Sequence, residues 1–313
     1  MRRHSRAFIV LLAGLVVALS GRPLRGRQAA GARDARSAAL TAWGVPELEG
    51  TYNYATMTPL ERPREFAGRP TITDAEAAAY EQRTVERQST ANNTAGPDWW
   101  DPGTRSLINN RTSLIVDPED GRIPPLTAEA QARAAAKAQG RRRNIYDGPE
   151  DLELKERCLS WEIAGPPMMP GVYNNDVQIV QTRDNVVIVN EMIHDARIVP
   201  LDGRPHGSVD RWMGDSRGHW EGQTLVVETV HFTEKTSVRG SDTNLRLVER
   251  FTRQGPDTLE YHVTLEDPTV WTRPWSVAFP MRRTNAPMYE YACHEGNFRS
   301  VEGMLRASRT QDR

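Results

Sequence analysis

Thr258-Leu259-Glu260-Tyr261-His262-Val263-Thr264-Leu265-Glu266 alternates without a break. Leu259, Tyr261, Val263 and Leu265 fall on one side and Glu260, His262, Thr264 and Glu266 on the other. A period of two puts successive side chains on opposite faces of a strand, so this segment is expected to hold one face against a core and the other in water. Four residues, Gln254-Gly255-Pro256-Asp257, separate it from another β-rich run, Leu245 to Arg253. So short a connection joins antiparallel neighbours and leaves no room for a crossover helix.

Working outward, further strands are expected at Gln223–Phe232, Trp275–Arg282 and Tyr289–Cys293. Upstream, Val177–Thr182 and Val186–Val199 flank Arg183-Asp184-Asn185 as a hairpin. Ser113–Asp117 is a short strand ended by the turn residues Pro118-Glu119-Asp120-Gly121, and Trp43–Tyr54 has the look of a first strand after a turn. Met213 to Gly222, bounded by glycine and dense in charge, reads as a loop. The expected fold is mainly β: an antiparallel meander, closed as a lipocalin-like barrel or paired as a sandwich, with two N-terminal surface helices. Thr73-Asp74-Ala75-Glu76 is a capping box opening the first helix, and Thr127 caps the second, Ala128 to about Arg142. Gln88 to Arg105, with Trp99-Trp100, is expected to be a long loop folded over something.

The chain starts with a basic segment, Met1-Arg2-Arg3-His4-Ser5-Arg6, followed by the apolar run Ala7 to Leu19. That run falls short of the roughly 20 residues a membrane span needs and matches a secretory signal peptide. An uncleaved amphitropic anchor is the alternative reading. The expected layout is a signal peptide at 1–21, a mobile leader remnant at 22–42, and a single β-rich domain at 43–313 with a helical and loop extension at 58–157. The protein is then periplasmic or secreted and has no membrane contact once the leader is removed. A formal net charge of −1 provides no field for nucleic acid. Two cysteines, Cys158 and Cys293, read as one disulfide in an oxidising compartment, or else as two separate buried thiols.

Arg111-Thr112-Ser113-Leu114-Ile115-Val116-Asp117, Asp120 to Thr127, Met213 to Gly222 and Tyr289 to Asn297 together resemble an uncharacterised family of exported bacterial proteins. The resemblance implies export and transfers no activity, cofactor or catalytic residue. Gly218-His219-Trp220-Glu221-Gly222 before a β run is also loosely similar to the openings of lipocalin-like barrels.

Three polar clusters are candidates for chemistry. In Glu191 to Arg197, strand alternation puts Glu191, Asp195 and Arg197 on one face and His194 on the other with Asn190. Charges grouped on a strand face are costly if dry and unpaired, so they are expected to meet water or a polar cavity. Glu191 and His194 would converge on a metal only in a helix, and no metal is expected. Asp215-Ser216-Arg217-Gly218-His219-Trp220-Glu221 joins acid, base and hydroxyl, either for general-base work or as a hydrogen-bonded turn. His294-Glu295 follows Cys293 and could face the second cluster across a barrel mouth. His194, Asp195, Asp215, His219, His294 and Glu295 are thus the candidate catalytic groups. Glu191, Arg197, Arg217, Trp99, Trp100, Trp212, Trp220 and Tyr291 are the candidate ligand contacts.

There is no Gly-x-Ser-x-Gly elbow, His-Glu-x-x-His, glycine-rich phosphate loop or Cys-x-x-Cys. Serine esterases, zincins, nucleotide-dependent enzymes and thioredoxin-like proteins are therefore disfavoured, and no organic cofactor is expected. Two functions remain: a binder of a small hydrophobic or aromatic ligand, or a hydrolase or lyase using His, Asp and Glu acid–base chemistry. Either implies a small-molecule partner.

Overall fold

In a computed structural model the sheet grows from the alternating segment in both directions. The structure describes residues 39–91, 101, 104, 106–141, 148–236 and 238–311. All the described elements belong to the unit Ala35–Arg313.

Among the described residues ten strands form one antiparallel sheet. They are β1 (Gly50–Asn53), β2 (Ile115–Asp117), β3 (Asp176–Gln181), β4 (Asn185–Asn190), β5 (Ala196–Pro200), β6 (Asp215–Glu221), β7 (Thr224–Val230), β8 (Arg246–Arg253), β9 (Thr258–Glu266) and β10 (Trp275–Arg283). Their spatial order is β5-β4-β3-β1-β10-β9-β8-β7-β6, with β2 on the side of β10. Strands β6 to β10 run as a simple meander, and β3 to β5 as a second one. The four-residue β1 joins the two blocks, pairing with β3 on one edge and β10 on the other.

Register lines up the inward residues. Phe251 lies opposite Tyr261, and Tyr261 opposite Phe279, with ring centroids 5.2 and 5.0 Å apart. Tyr52, Val177, Ile179, Val186, Ile188 and Val199 complete a continuous buried core with the inner faces of β7 to β10. The interior is therefore filled by side chains, as expected of a small barrel, rather than left as a tube. Trp220, one of the candidate ligand contacts, points into this core opposite Leu225 and packs against it. Trp271 and Trp275 are fully buried and meet edge to face at 5.5 Å.

The barrel is nearly closed. No ladder joins β5 to β6; side chains close part of the seam instead. A methyl on Gly218 of β6 would lie 2.7 Å from Leu201 Cδ2 and 2.8 Å from Val199 Cγ1. Only a residue without a side chain lets these two groups from the β5 side sit directly on the β6 backbone.

Among the described residues three α-helices lie outside the sheet: α1 (Asp74–Ala91), α2 (Ala128–Arg141) and α3 (Cys293–Gln311). At the start of α1 the Glu76 carboxylate accepts from the Thr73 amide at 3.0 Å while Thr73 Oγ1 accepts from the Glu76 amide, so the capping box forms. Thr127 Oγ1 accepts from the Ala130 amide at α2. Cys158 and Cys293 form a disulfide with Cα atoms 5.8 Å apart, fastening the start of α3 to the segment before β3. Among the described residues no helix is long and apolar enough to cross a membrane.

Three expectations are corrected. Tyr289 to Cys293 is not a strand: the chain runs irregularly to Cys293, where α3 begins. Both edges of β10 are already taken by β9 and by β1 with β2, so a following strand has no free neighbour. Val186 to Val199 is not one strand but a hairpin, β4 and β5, reversing at Met192–His194, where Ile193 and His194 adopt positive φ (63° and 50°). Met213 to Gly222 is not a loop, since Asp215 to Glu221 is β6.

Candidate functional site

The sheet carries a buried ionic group on its inner face. Ile188 of β4 pairs with Arg197 of β5, which aims the guanidinium inward. On β8 the inward row Leu247, Glu249, Phe251 places a carboxylate among apolar side chains. Arg197 and Glu249, 7% and 0% exposed, pair through both nitrogens of the guanidinium fork, Nη2 donating to Oε1 at 2.9 Å. The Tyr261 hydroxyl also donates to Oε1 at 2.9 Å and accepts from the Met168 amide at 3.1 Å. Arg197 Nη1 reaches Thr229 Oγ1 at 3.5 Å, and Thr229 shares a 2.8 Å hydrogen bond with Ser216 Oγ. Burial alone would lower the affinity of the guanidinium for its proton, but the Glu249 charge and hydrogen bonds outweigh it and raise its pKa. The Tyr261 phenol is driven well above its ordinary range by burial and by Glu249.

Beside this group the seam opens. Away from the Gly218 contact, β5 and the approach to β6 part to leave a cavity of about 380 Å³. Leu159, Ile198, Trp212 and Met213 supply its apolar walls. Arg197, Ser216, Asp195 and Arg211 supply its polar surface. Burial pushes the Asp195 carboxyl up to about 6, against a small opposing pull from His194, and its Oδ2 is buried with no hydrogen-bond partner.

The candidate catalytic groups go to different places. His194 is exposed on the β4–β5 turn. Asp215 and His219 share the outer face of β6 but lie four residues apart, about 13 Å along a strand. His219, 61% exposed, bonds Glu221 at 3.1 Å. His294 and Glu295 are exposed in the first turn of α3. Their expected convergence assumed loops and strand ends on one rim. The residues instead occupy a turn, an outer strand face and a helix.

Asp215 is 2% exposed and bound on every side. Its Oδ1 accepts from Arg217 at 2.8 Å; its Oδ2 accepts from the Gly207 amide at 2.9 Å and meets His206 Nδ1 at 3.2 Å. Burial works to raise its pKa, but these donors and the Arg217 charge prevail and lower it. Arg217, a candidate ligand contact, is thus engaged on the outer face, where it also donates to Pro205 and Ser216 carbonyls.

Glu191 is buried in the β4–β5 turn, accepting from the Tyr289 amide at 2.9 Å. Tyr291 packs on Met192 and Ile193, its phenol pushed up to about 12 by burial and Tyr173. Of the candidate ligand contacts, Arg197 and Trp212 line the cavity, together with Asp195 from the catalytic set. Trp99 and Trp100 lie outside the described residues.

Glu249, Thr229, Arg211 and Met213 were not singled out by the sequence reading. Glu249 alone left a trace there, as an acid in line with Leu247 and Phe251. Among the described residues no group of three or more His, Cys, Asp or Glu side chains is disposed to hold a metal ion.

Two acids are held above the usual carboxylate range. Asp195 and Asp176 both titrate near 6. Asp176 is raised by burial and by Glu191 and Asp101, against a 2.7 Å hydrogen bond from Asn53. Their folded pKa values exceed the unfolded value, so their protonated forms favour the fold below about pH 4, and that stability is lost as pH rises to about 6. Asp215 acts oppositely: its contribution is present above its ordinary range and is lost as pH falls through its lowered pKa. His262, its pKa lowered by burial and Arg250, loses stability as pH falls, against Asp195 and Asp176. Calorimetry should therefore show Asp176→Asn/Asp195→Asn melting above the parent at pH 7 and close to it at about pH 4. A double variant no more stable than the parent at pH 7 would contradict these assignments.

The fold and site together define a nearly closed antiparallel β-barrel protein with one disulfide, a packed interior and a cavity at its open seam. No protein-family model matches the chain, and no curated protein matches it significantly.

Proposed function

We propose that this protein is an exported binder of a small hydrophobic or aromatic molecule, held in the cavity between β5 and β6. The observation that carries the reading is that cavity: apolar walls from Trp212, Met213, Ile198 and Leu159 around a few fixed polar groups. Ligand sites are commonly built this way, with area supplied by apolar side chains and orientation by a small number of polar ones. About 380 Å³ accommodates a molecule of one or two rings. Export is supported by the basic and apolar start of the chain and by the Cys158–Cys293 disulfide, a bond that persists in oxidising compartments.

Naphthalene derivatives serve as probes. At least one member of a set carrying neutral, anionic and cationic substituents should bind with one-to-one stoichiometry by calorimetry and alter tryptophan fluorescence. Ile198 is 63% exposed, so Ile198→Glu should leave the melting temperature within a degree or two while weakening binding at least tenfold. Unchanged affinity in that variant would place the ligand elsewhere. Absence of any binding below millimolar concentrations across the set would remove the reading.

A further inference from the structure

Resting on the binding function proposed above, we infer that the ligand is a monocarboxylate, its ring or chain against Trp212 and Met213 and its carboxylate held by Arg211 and Arg197. Among the described residues the lining contains two arginines and no lysine, Arg197 buried and Arg211 exposed. They differ in how they are fixed. Arg197 is locked by Glu249 along one edge of its fork and reaches Thr229 as well. A guanidinium has five N–H donors in a rigid plane, so this grip leaves donors for an acceptor in the cavity. Orientation is set in advance, and no rotamer freedom is lost when a ligand arrives.

A buried arginine–glutamate pair is seldom retained for stability, since apolar residues of similar size often do as well. Its place at the wall of the cavity gives it another use. Glu249 cancels most of the charge of Arg197, so selectivity for an anion over a neutral acceptor falls to Arg211. Arg211 is 61% exposed, and its nearest acid, Asp215, is 3.5 Å away and already engaged by Arg217 and His206. It therefore has charge to spare for a ligand. Among the described residues Asp195 is the one acid in the lining. Its carboxyl, raised to about 6, is charged at pH 7.5 and opposes an anion, so naphthoate should bind more tightly as pH falls through that value. Ser216 Oγ adds a hydroxyl, held by Thr229, on the side of β6.

The test compares 2-naphthoate, 2-naphthamide and 2-naphthylmethylammonium, nearly equal in shape, by calorimetry on the full disulfide-bonded chain at pH 7.5. Naphthoate should bind at least tenfold more tightly than naphthamide, and the ammonium compound should show no measurable binding. Arg211→Gln should remove about tenfold from naphthoate affinity and with it most of the preference for naphthoate over naphthamide. Its melting curve, recorded alongside, checks that the fold is intact. Equal affinity for acid and amide would overturn the carboxylate assignment while leaving the binding function standing, as would a preference for the ammonium compound. Unaltered naphthoate affinity in Arg211→Gln would overturn the role of that arginine. If none of the three binds, both the assignment and the function fall.

Discussion

Replacing Glu249 by Gln is expected to cost about 3–5 kcal/mol, because it leaves the Arg197 guanidinium charged, dry and without its counter-ion. Glutamine keeps the shape of the side chain but turns one acceptor into a donor facing donors. The Tyr261 hydroxyl then competes for the remaining oxygen. A loss of this size should lower the melting temperature by roughly 10 °C in a protein of this length. Arg197→Met should be damaging too, by leaving the carboxylate alone. The double variant Arg197→Met/Glu249→Leu should recover most of the lost stability, since neither charge is then stranded. Urea denaturation of the two single variants and the double measures all three. If each single variant costs under about 1 kcal/mol, the pair is solvated and the dry network does not exist.

The second large effect concerns the disulfide. Cys158 precedes β3 and Cys293 follows β10, so their bond closes a loop with a sequence separation of 135 that encloses eight of the ten strands. Its main effect is expected on the unfolded chain rather than on contacts in the folded one. The double variant Cys158→Ala/Cys293→Ala should lose about 2–5 kcal/mol, read as a lower denaturation midpoint of the whole barrel. The alternative is a local effect, because Cys293 is the first residue of α3 and Asn297, one turn on, donates to the Glu156 carbonyl and the Cys158 sulfur. If the bond served only to seat that helix, the variant would lose helical signal in circular dichroism while the β signal kept its midpoint. That result would refute the barrel-wide effect.

Sequence periodicity located the strands wherever the inward set is large and apolar. Thr258–Glu266 was legible to the residue, because each inward position is Leu, Tyr or Val. Strand β6 was missed although it alternates just as strictly. Its inward residues are Ser216, Gly218 and Trp220, and its outward residues are Asp215, Arg217, His219 and Glu221, so hydrophobicity carries little of the pattern. The small inward residues have a tertiary cause, the crowding of Val199 and Leu201 against Gly218, which no local rule reveals.

The β4–β5 reversal was hidden for a related reason. Its turn uses Ile193 and His194 at positive φ instead of glycine or asparagine, the usual markers of a turn. At the site, Arg197 was recognised as a charge needing a partner or a cavity. Its partner Glu249 lies 52 residues away and three quarters of the way around the sheet from β5, so only the fold could pair them.

The short strand β1 has a consequence for how the chain assembles. A chain emerging from its N-terminus makes Gly50–Asn53 early, yet one of its two neighbours, β10, ends at Arg283. The block β3 to β5 can zip by itself as soon as it is made, and so can β6 to β10, because each uses only neighbouring segments. Joining them is the slow task, since it requires a contact between Tyr52 and Arg283 across most of the chain. Until that contact forms, β1 (once paired to β3) and β10 both present open strand edges, which are templates for pairing with other molecules. Synthesis therefore passes through an interval in which two half-sheets wait for a four-residue splice, and concentration during refolding should decide whether they join each other or a neighbour.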